Sequence, residues 1–263
     1  HIRLGGVAIY LTALDLTLRS EGSGAVIDAE GASRIAVASD GAHLSVENGV
    51  TVMNGFDYAG GCFKVEGGAR PGSIALRSAR MQGCSAYAAG GALVNGGSFE
   101  LHDSEIVDTY AYGSSSMAYG GGFVINQGIL LLNGSLMRNT TAWSSTGVAD
   151  GGAIHMNGGV ITVMRSTIMD AHVRSSYGQS SGGAFCIIFG NLFIEDSTLV
   201  STSAIVDGGL GSAKGGAIFI GGGDVSIKGS NISSTRAVYL SKNFTSSVAG
   251  LNLFKAAYGG GVT

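Results

Sequence analysis

A double glycine recurs along this chain at nearly constant spacing, and it constrains the fold more than any other feature. The pairs end at Gly61, Gly91, Gly122, Gly152, Gly183 and Gly216, in steps of 30, 31, 30, 31 and 33 residues. A period of this length marks stacked supersecondary units that share one core. A small residue follows in most copies (Cys62, Ala92, Ala153, Ala184, Ala217), with Phe123 as the exception. An apolar residue comes next: Phe63, Leu93, Val124, Ile154, Phe185 and Ile218. Then an alternating pair appears at Ile74/Leu76, Phe99/Leu101, Leu130/Leu132, Ile161/Val163, Leu192/Ile194 and Val225/Ile227. A small residue (Ala79, Ser104, Ser135, Ser166, Ser197, Ser230) and a further apolar one (Met81, Ile106, Met137, Ile168, Leu199, Ile232) close each copy.

Alternation by twos is the periodicity of a strand. Each copy therefore holds three short strands between Gly, Asn or Ser corners, too few to bury their apolar faces alone. Stacking solves this, and the expected fold is all-β: a parallel β-helix rising ~4.8 Å per coil. Residues one period apart then form ladders. Ile154, Ile161, Val163 and Ile168 are expected to face inward and stack on Phe185, Leu192, Ile194 and Leu199. The double glycines suit corners that need positive φ or close backbone approach. Before the repeats, Leu14/Leu16/Leu18, Ala25–Asp28, Ile35–Val37, Leu44–Val46 and Val50–Val52 also read as strands. They make roughly two earlier coils, about eight in all.

The chain is read as one solenoid over residues 1–263. Residues 1–59 are opening coils, 60–235 the repeats, and 236–263 a long loop with the start of a further coil at Gly259-Gly260-Gly261-Val262-Thr263. Solenoids carry polar caps, and neither end reads as one. The expectation is a portion of a longer protein, with apolar end layers near Ile9, Leu11 and Leu16 and at Val225, Ile227 and Ile232 that self-associate when isolated. Leu251-Asn252-Leu253-Phe254 could cover the second in part. A formal net charge of −3 lacks the basic patch that nucleic acid requires. No run of eighteen apolar residues indicates a transmembrane helix, and no leader is visible.

Five return segments rich in Ser, Ala, Gly and Tyr (110–119, 140–150, 171–181, 203–214 and 236–258) leave the stack at equivalent places. They read as loops on one side, and loops on a rigid scaffold are where recognition concentrates. Their aromatics, Tyr110, Tyr112, Tyr119, Trp143 and Tyr177, are the candidate binding surface. Packing of the rings on their own loops is the competing reading. Of four glycosylation sequons, Asn139 and Asn243 are placed on loops and are the better acceptors if the chain is secreted by a eukaryote.

Catalytic chemistry is hard to find. A glycosidase needs two carboxylates at set separation, but the only adjacent acidic pair is Glu195-Asp196. Stacking puts Asp196 one coil from Arg165 and Glu195 one coil from Lys228, a structural charge pairing. Asp103 shares the column but stands too far along it to form a dyad. His1, His43, His102, His155 and His172 show no metal-ligand spacing and read as surface or corner residues. The serine column lacks an accompanying base and reads as corners bonded along a ladder. Asp28, three residues before Gly31, and Asp150, next to Gly151, resemble calcium ligands only weakly. Cys62 and Cys84 lie in consecutive coils, where pairing is open, and Cys186 is left over. No cofactor or metal is expected.

Gly151-Gly152-Ala153-Ile154, an alternating strand and Ser166-Thr167-Ile168 together resemble the repeats of chlamydial polymorphic outer-membrane proteins. They are similar also to other surface proteins of the pectin-lyase-like class. The lead-in, Val26-Ile27-Asp28-Ala29-Glu30-Gly31 through Leu44 to Gly55, resembles the opening coils of such proteins. The likeness runs over most of the chain from about residue 24. It implies a right-handed β-helix and an extracellular or cell-surface place. With the missing catalytic cluster, the expected function is a non-enzymatic structural or interaction solenoid, part of a larger assembly or adhesin. Its partners would be proteins, neighbouring segments of the same longer chain, or glycans. The alternatives are a carbohydrate-acting β-helix enzyme of lyase or glycosidase type, and a carbohydrate-binding module.

Overall fold

A computed structural model describes residues 1–22, 24–114, 117–208, 211–241, 244–249 and 253–255, with the backbone alone from 241 onward. Asn243, Leu251, Asn252 and the glycine run 259–261 lie outside the described residues. The described chain holds strands and no helix, stacked as a parallel β-solenoid of about seven turns, close to the eight expected. The middle coils each hold three strands, as in Phe123–Asn133, Leu136–Ser144 and Ala149–Asp150. Two of the three are long. The first of them passes through glycines (Gly96–Gly97, Gly128, Gly158–Gly159), and four of these five have positive φ or a neighbour too close for a Cβ.

The apolar ladders obey the repeat. Ile154 pairs with Phe185, Ile161 with Leu192, Val163 with Ile194 and Ile168 with Leu199. All eight side chains are buried in one continuous core. One longitudinal row runs Leu16, Leu44, Ile74, Phe99, Leu130, Ile161, Leu192, Val225 through parallel pairings only. The opening coils follow the same rule, with Ala25–Asp28 on Val50–Met53 and Asp15–Arg19 on His43–Glu47.

Two copies are shifted by one residue from the double-glycine alignment. The rung of Phe63 and Ile154 is filled by Ala92 and Phe123, while Leu93 and Val124 belong to the outward row. A one-residue slip turns a side chain to the other face. Gly91 and Gly122 therefore stand where Cys62 and Ala153 stand in neighbouring coils, and Phe123 is no exception to the pattern.

Corners explain the rest of the repeat. Asp103, Arg165 and Asp196 have φ near +48° (48°, 46° and 48°), in column with Gly134 and Gly229 at 63° and 60°. Asp108, Asn139 and Asp170 form a second left-handed column, a conformation that Asn and Asp tolerate better than most residues. Beside the first column runs the serine ladder. The backbone N–H of Ser104 donates to Ser135 Oγ (3.2 Å), that of Ser135 to Ser166 Oγ (3.0 Å), and that of Ser166 to Ser197 Oγ (3.1 Å). Each hydroxyl donates to the carbonyl two residues earlier, as Ser166 does to Met164 at 2.7 Å. These serines are buried, so Ser166→Ala strands the N–H of Ser135. Urea unfolding should show a loss of ~1–3 kcal/mol, the cost of an unmet buried donor.

The predicted charge pairing holds in part. Lys228 Nζ lies 3.4 Å from Glu195 Oε1, but Arg165 turns to the preceding rung and donates to Asn133 Oδ1 at 2.5 Å. Asp28 accepts from Asn54 Nδ2 (3.0 Å) and the Glu30 N–H (2.8 Å), a structural role. Cys62 and Cys84 are joined in a disulfide that closes a separation of 22 residues. Replacing both by alanine should lower unfolding stability by ~3 kcal/mol, the entropic value for a loop of that size, read as a shifted denaturant midpoint.

Candidate functional site: stacked arms and the faces they make

The return segments expected as loops are largely strands. In each middle coil the chain continues outward past the core (Glu105–Gly113, Leu136–Ser144, Thr167–Ser175), turns, and comes back through a two-residue strand (Ala118–Tyr119, Ala149–Asp150, Ser180–Ser181). Outgoing legs pair with outgoing legs and returning legs with returning legs, coil upon coil. Between them lies a second, thin core of Ala111, Ala118, Ala142, Ala149, Val173 and Ala204. Small side chains let the two layers approach, and the result is one ordered fin along the solenoid.

The double glycines form the neck of the fin, where the returning chain crosses the outgoing one. A Cβ on Gly152 would lie 2.2 Å from Gly183 O and 2.6 Å from the backbone N of His172. On Gly183 it would meet Gly216 O at 2.0 Å and Ser203 N at 2.5 Å. The glycine before each crossing, Gly151 or Gly182, has φ of 67° or 69°. Both requirements exclude a side chain.

The five candidate aromatics are split by this geometry. Tyr110, Tyr112 and Trp143 lie on the outer side of the outgoing legs. Tyr112 pairs with Trp143, and Arg174 and Ile205 follow on the next rungs. Tyr110 and Tyr112 stack at 6.3 Å, and Tyr112 and Trp143 at 4.8 Å with planes 20° apart. The rings are half-buried, and Tyr112 lies nearly parallel to both of its neighbours. Tyr87, which is exposed and placed one step after the Ala86/Ala111 pair, continues the row, with Phe56 packed edge-on against it at 5.1 Å. Tyr177 is exposed between the legs of the next arm and makes no part of this stack. Tyr119 sits on a returning leg and stacks on His155 at 4.4 Å. Asn139 is exposed at a left-handed corner rather than on a loop, and its Nδ2 donates to Asp108 Oδ1 at 2.7 Å. No protein-family model, curated protein or solved structure matches the chain.

Two further features arise where outward rows of the solenoid are covered or cut. A shallow groove of about 480 Å³ is lined by Gly67, Gly68, Asn95, Gly96, Asn126, Gln127 and Asn157. Its side chains are uncharged amides, linked in part: Asn157 Nδ2 donates to Asn126 Oδ1 at 2.8 Å. The groove supplies hydrogen-bond donors and acceptors and no carboxylate or base for bond cleavage.

The second is buried. His155 and Cys186 are rung partners on an outward row, but the returning legs cover them, so His155 is only 2% exposed. This corrects the expectation of a surface or corner histidine. Asp150, on the returning leg, completes a group whose ligand-capable atoms all lie within 4.8 Å of one another. Burial raises the Asp150 carboxyl to about 6, opposed by hydrogen bonds from Ser181 and by Lys214. Burial lowers His155 to about 4, so its imidazole is neutral near pH 7. Burial and then Asp150 push the Cys186 thiol well above its ordinary value. A thiol, an imidazole and the Asn157 amide suggest a nucleophilic cysteine site. An activated cysteine, however, needs access and a lowered pKa, and Cys186 has neither. Spacing along the sequence hides this cluster, although the 31-residue offset that places Ile154 on Phe185 also places His155 on Cys186.

Proposed function

We propose that this chain is a non-enzymatic interaction solenoid that works outside the cell or at its surface, as part of a larger assembly or adhesin. The observation that carries the reading is the fin: a rigid, strand-built projection that repeats coil by coil and bears the row Tyr87, Tyr112, Trp143 and Arg174. Stacked, partly exposed aromatics beside an arginine suit a flat protein contact, where Tyr, Trp and Arg are enriched. Protein contact at the ends of the core is supported by Leu16 and Leu18 at one end and Val225 and Ile227 at the other, all only partly buried. The likeness of the repeats to those of polymorphic outer-membrane proteins, and to right-handed β-helices of the pectin-lyase-like class, supports the same placement.

Carbohydrate binding is the second reading, and the amide-lined groove favours it, since sugar hydroxyls pair well with Asn and Gln side chains. The stacked rings favour it less, because a sugar packs on a ring face and Tyr112 and Trp143 each turn one face to the other. Labelling intact source cells with an impermeant biotin reagent tests the placement: the chain should be labelled, and labelling only after lysis would refute a surface role. A glycan array then separates the readings. Retention lost in Asn126→Ala but kept in Trp143→Ala would give the groove to carbohydrate.

A further inference from the structure

We propose that Asp150, His155 and Cys186 bind one divalent transition-metal ion of the zinc type, inside the covered row between the solenoid and the returning legs of the fin. Three observations carry this. The ligand-capable atoms of the three residues converge within 4.8 Å, on side chains that are all buried. Two of the polar atoms, Asp150 Oδ1 and His155 Nδ1, are buried with no hydrogen-bond partner, a costly state that native interiors avoid. The histidine is also oriented from outside the cluster. His155 Nε2 lies 2.9 Å from Asn157 Oδ1, and the Asn157 amide is itself fixed by donating to Asn126. With Asn157 Oδ1 as acceptor, Nε2 carries the proton and Nδ1 keeps its lone pair free. A hydrogen bond from the distal ring nitrogen is the usual support of a metal-bound histidine.

The donor set selects the ion. A thiolate, an imidazole nitrogen and a carboxylate oxygen suit zinc and its neighbours, whereas calcium and magnesium take oxygen ligands. The charges balance: carboxylate and thiolate carry two negative charges against the two positive charges of the ion. An enclosed site tolerates such neutrality far better than two unpaired anions. Binding proceeds by loss of the Cys186 proton to solvent as the sulfur–metal bond forms, with no change of oxidation state. Tyr119, stacked over His155, and Lys214, 5.9 Å above the Phe219 ring on the next rung, cover the site from the returning legs. The site is thus a staple. It joins Asp150 on the fin to His155 and Cys186 on two successive coils of the solenoid wall.

The test uses the whole chain with its disulfide intact. The protein is unfolded in urea with chelator, then refolded with cobalt(II) alone, so that burial does not block entry. The expected result is one equivalent of cobalt with a thiolate-to-metal charge-transfer band in the near ultraviolet and visible ligand-field bands, all abolished by one equivalent of zinc. Cys186→Ser should lose the charge-transfer band, and Asn157→Leu should weaken cobalt binding by about 10–100-fold. Zinc should raise the melting temperature of the wild type in a dose-dependent way, a readout that needs no variant. A natively refolded wild type with no band and no zinc-dependent shift would overturn the site, leaving the cluster as protons shared among three buried groups. Equal cobalt binding by Cys186→Ser would overturn it as well.

Discussion

Replacing Gly152 by alanine is expected to cost ~4 kcal/mol or more, a loss reserved for severe steric conflict or strain. The new methyl group would sit 2.2 Å from Gly183 O and 2.6 Å from backbone atoms of His172. Neither neighbour is the end of a flexible side chain that could swing away. Both belong to ladders, so relief on one rung disturbs the next. The control is Gly31→Ala. Gly31 has φ of 70° but nothing within 4 Å of an added Cβ. That variant should show only the left-handed penalty, roughly 1–2 kcal/mol. Equal midpoints for the two variants in denaturant unfolding would mean that the neck of the fin is not where the chains cross.

Phe99→Ala should be the most damaging truncation in the main core, at ~3–5 kcal/mol. Phe99 is fully buried, with Ile74 and Leu130 as its rung partners. Its ring also packs against those of Phe63 (centroids 5.7 Å) and Phe123 (5.0 Å, planes at 71°). Removing it leaves a cavity and ends two aromatic contacts, each worth ~0.5–1.5 kcal/mol beyond burial. Phe99→Leu keeps most of the volume and should recover much of the loss. A cost below 1 kcal/mol for the alanine variant would contradict the packing described.

The solenoid was legible because its core is periodic in the chain itself. Ile161, Leu192 and Val225 are rung neighbours because they are a coil apart in sequence, so counting along the chain recovers the contact. The serine ladder was legible for the same reason. The fin was not. Its outgoing legs carry Thr, Tyr, Ser and Ala, a composition that reads as loop, and its core is built from alanines such as Ala142 and Ala149 that give no hydrophobic signal. The shift at Phe123 escaped detection because three glycines in a row at 120–122 leave the double-glycine alignment ambiguous by one residue, and that at Ala92 because the coil from Phe63 to Ala92 is 29 residues long while the glycine pairs are 30 apart. The buried cluster needed the fin to be resolved. His155 and Cys186 follow from the repeat, but Asp150 reaches them only because the returning leg folds back over the wall.

Spin-label distances along one outward row test the architecture most directly. Thr17, Glu100, Thr162 and Ser226 occupy the same row of the solenoid wall, linked through Ser45, Ala75, Leu131 and Phe193. Each rung adds ~4.8 Å. Labels at Ser226 and Glu100 should therefore lie ~19 Å apart, and labels at Ser226 and Thr17 ~34 Å apart, before allowance for the linkers. Thr162 should fall ~10 Å from Ser226 on the same line. Pulsed and continuous-wave electron paramagnetic resonance on the three pairs should give separations that rise linearly with the number of coils between them. Separations that do not grow with coil number would contradict a parallel solenoid in this register, and with it the fin and every face assigned to it.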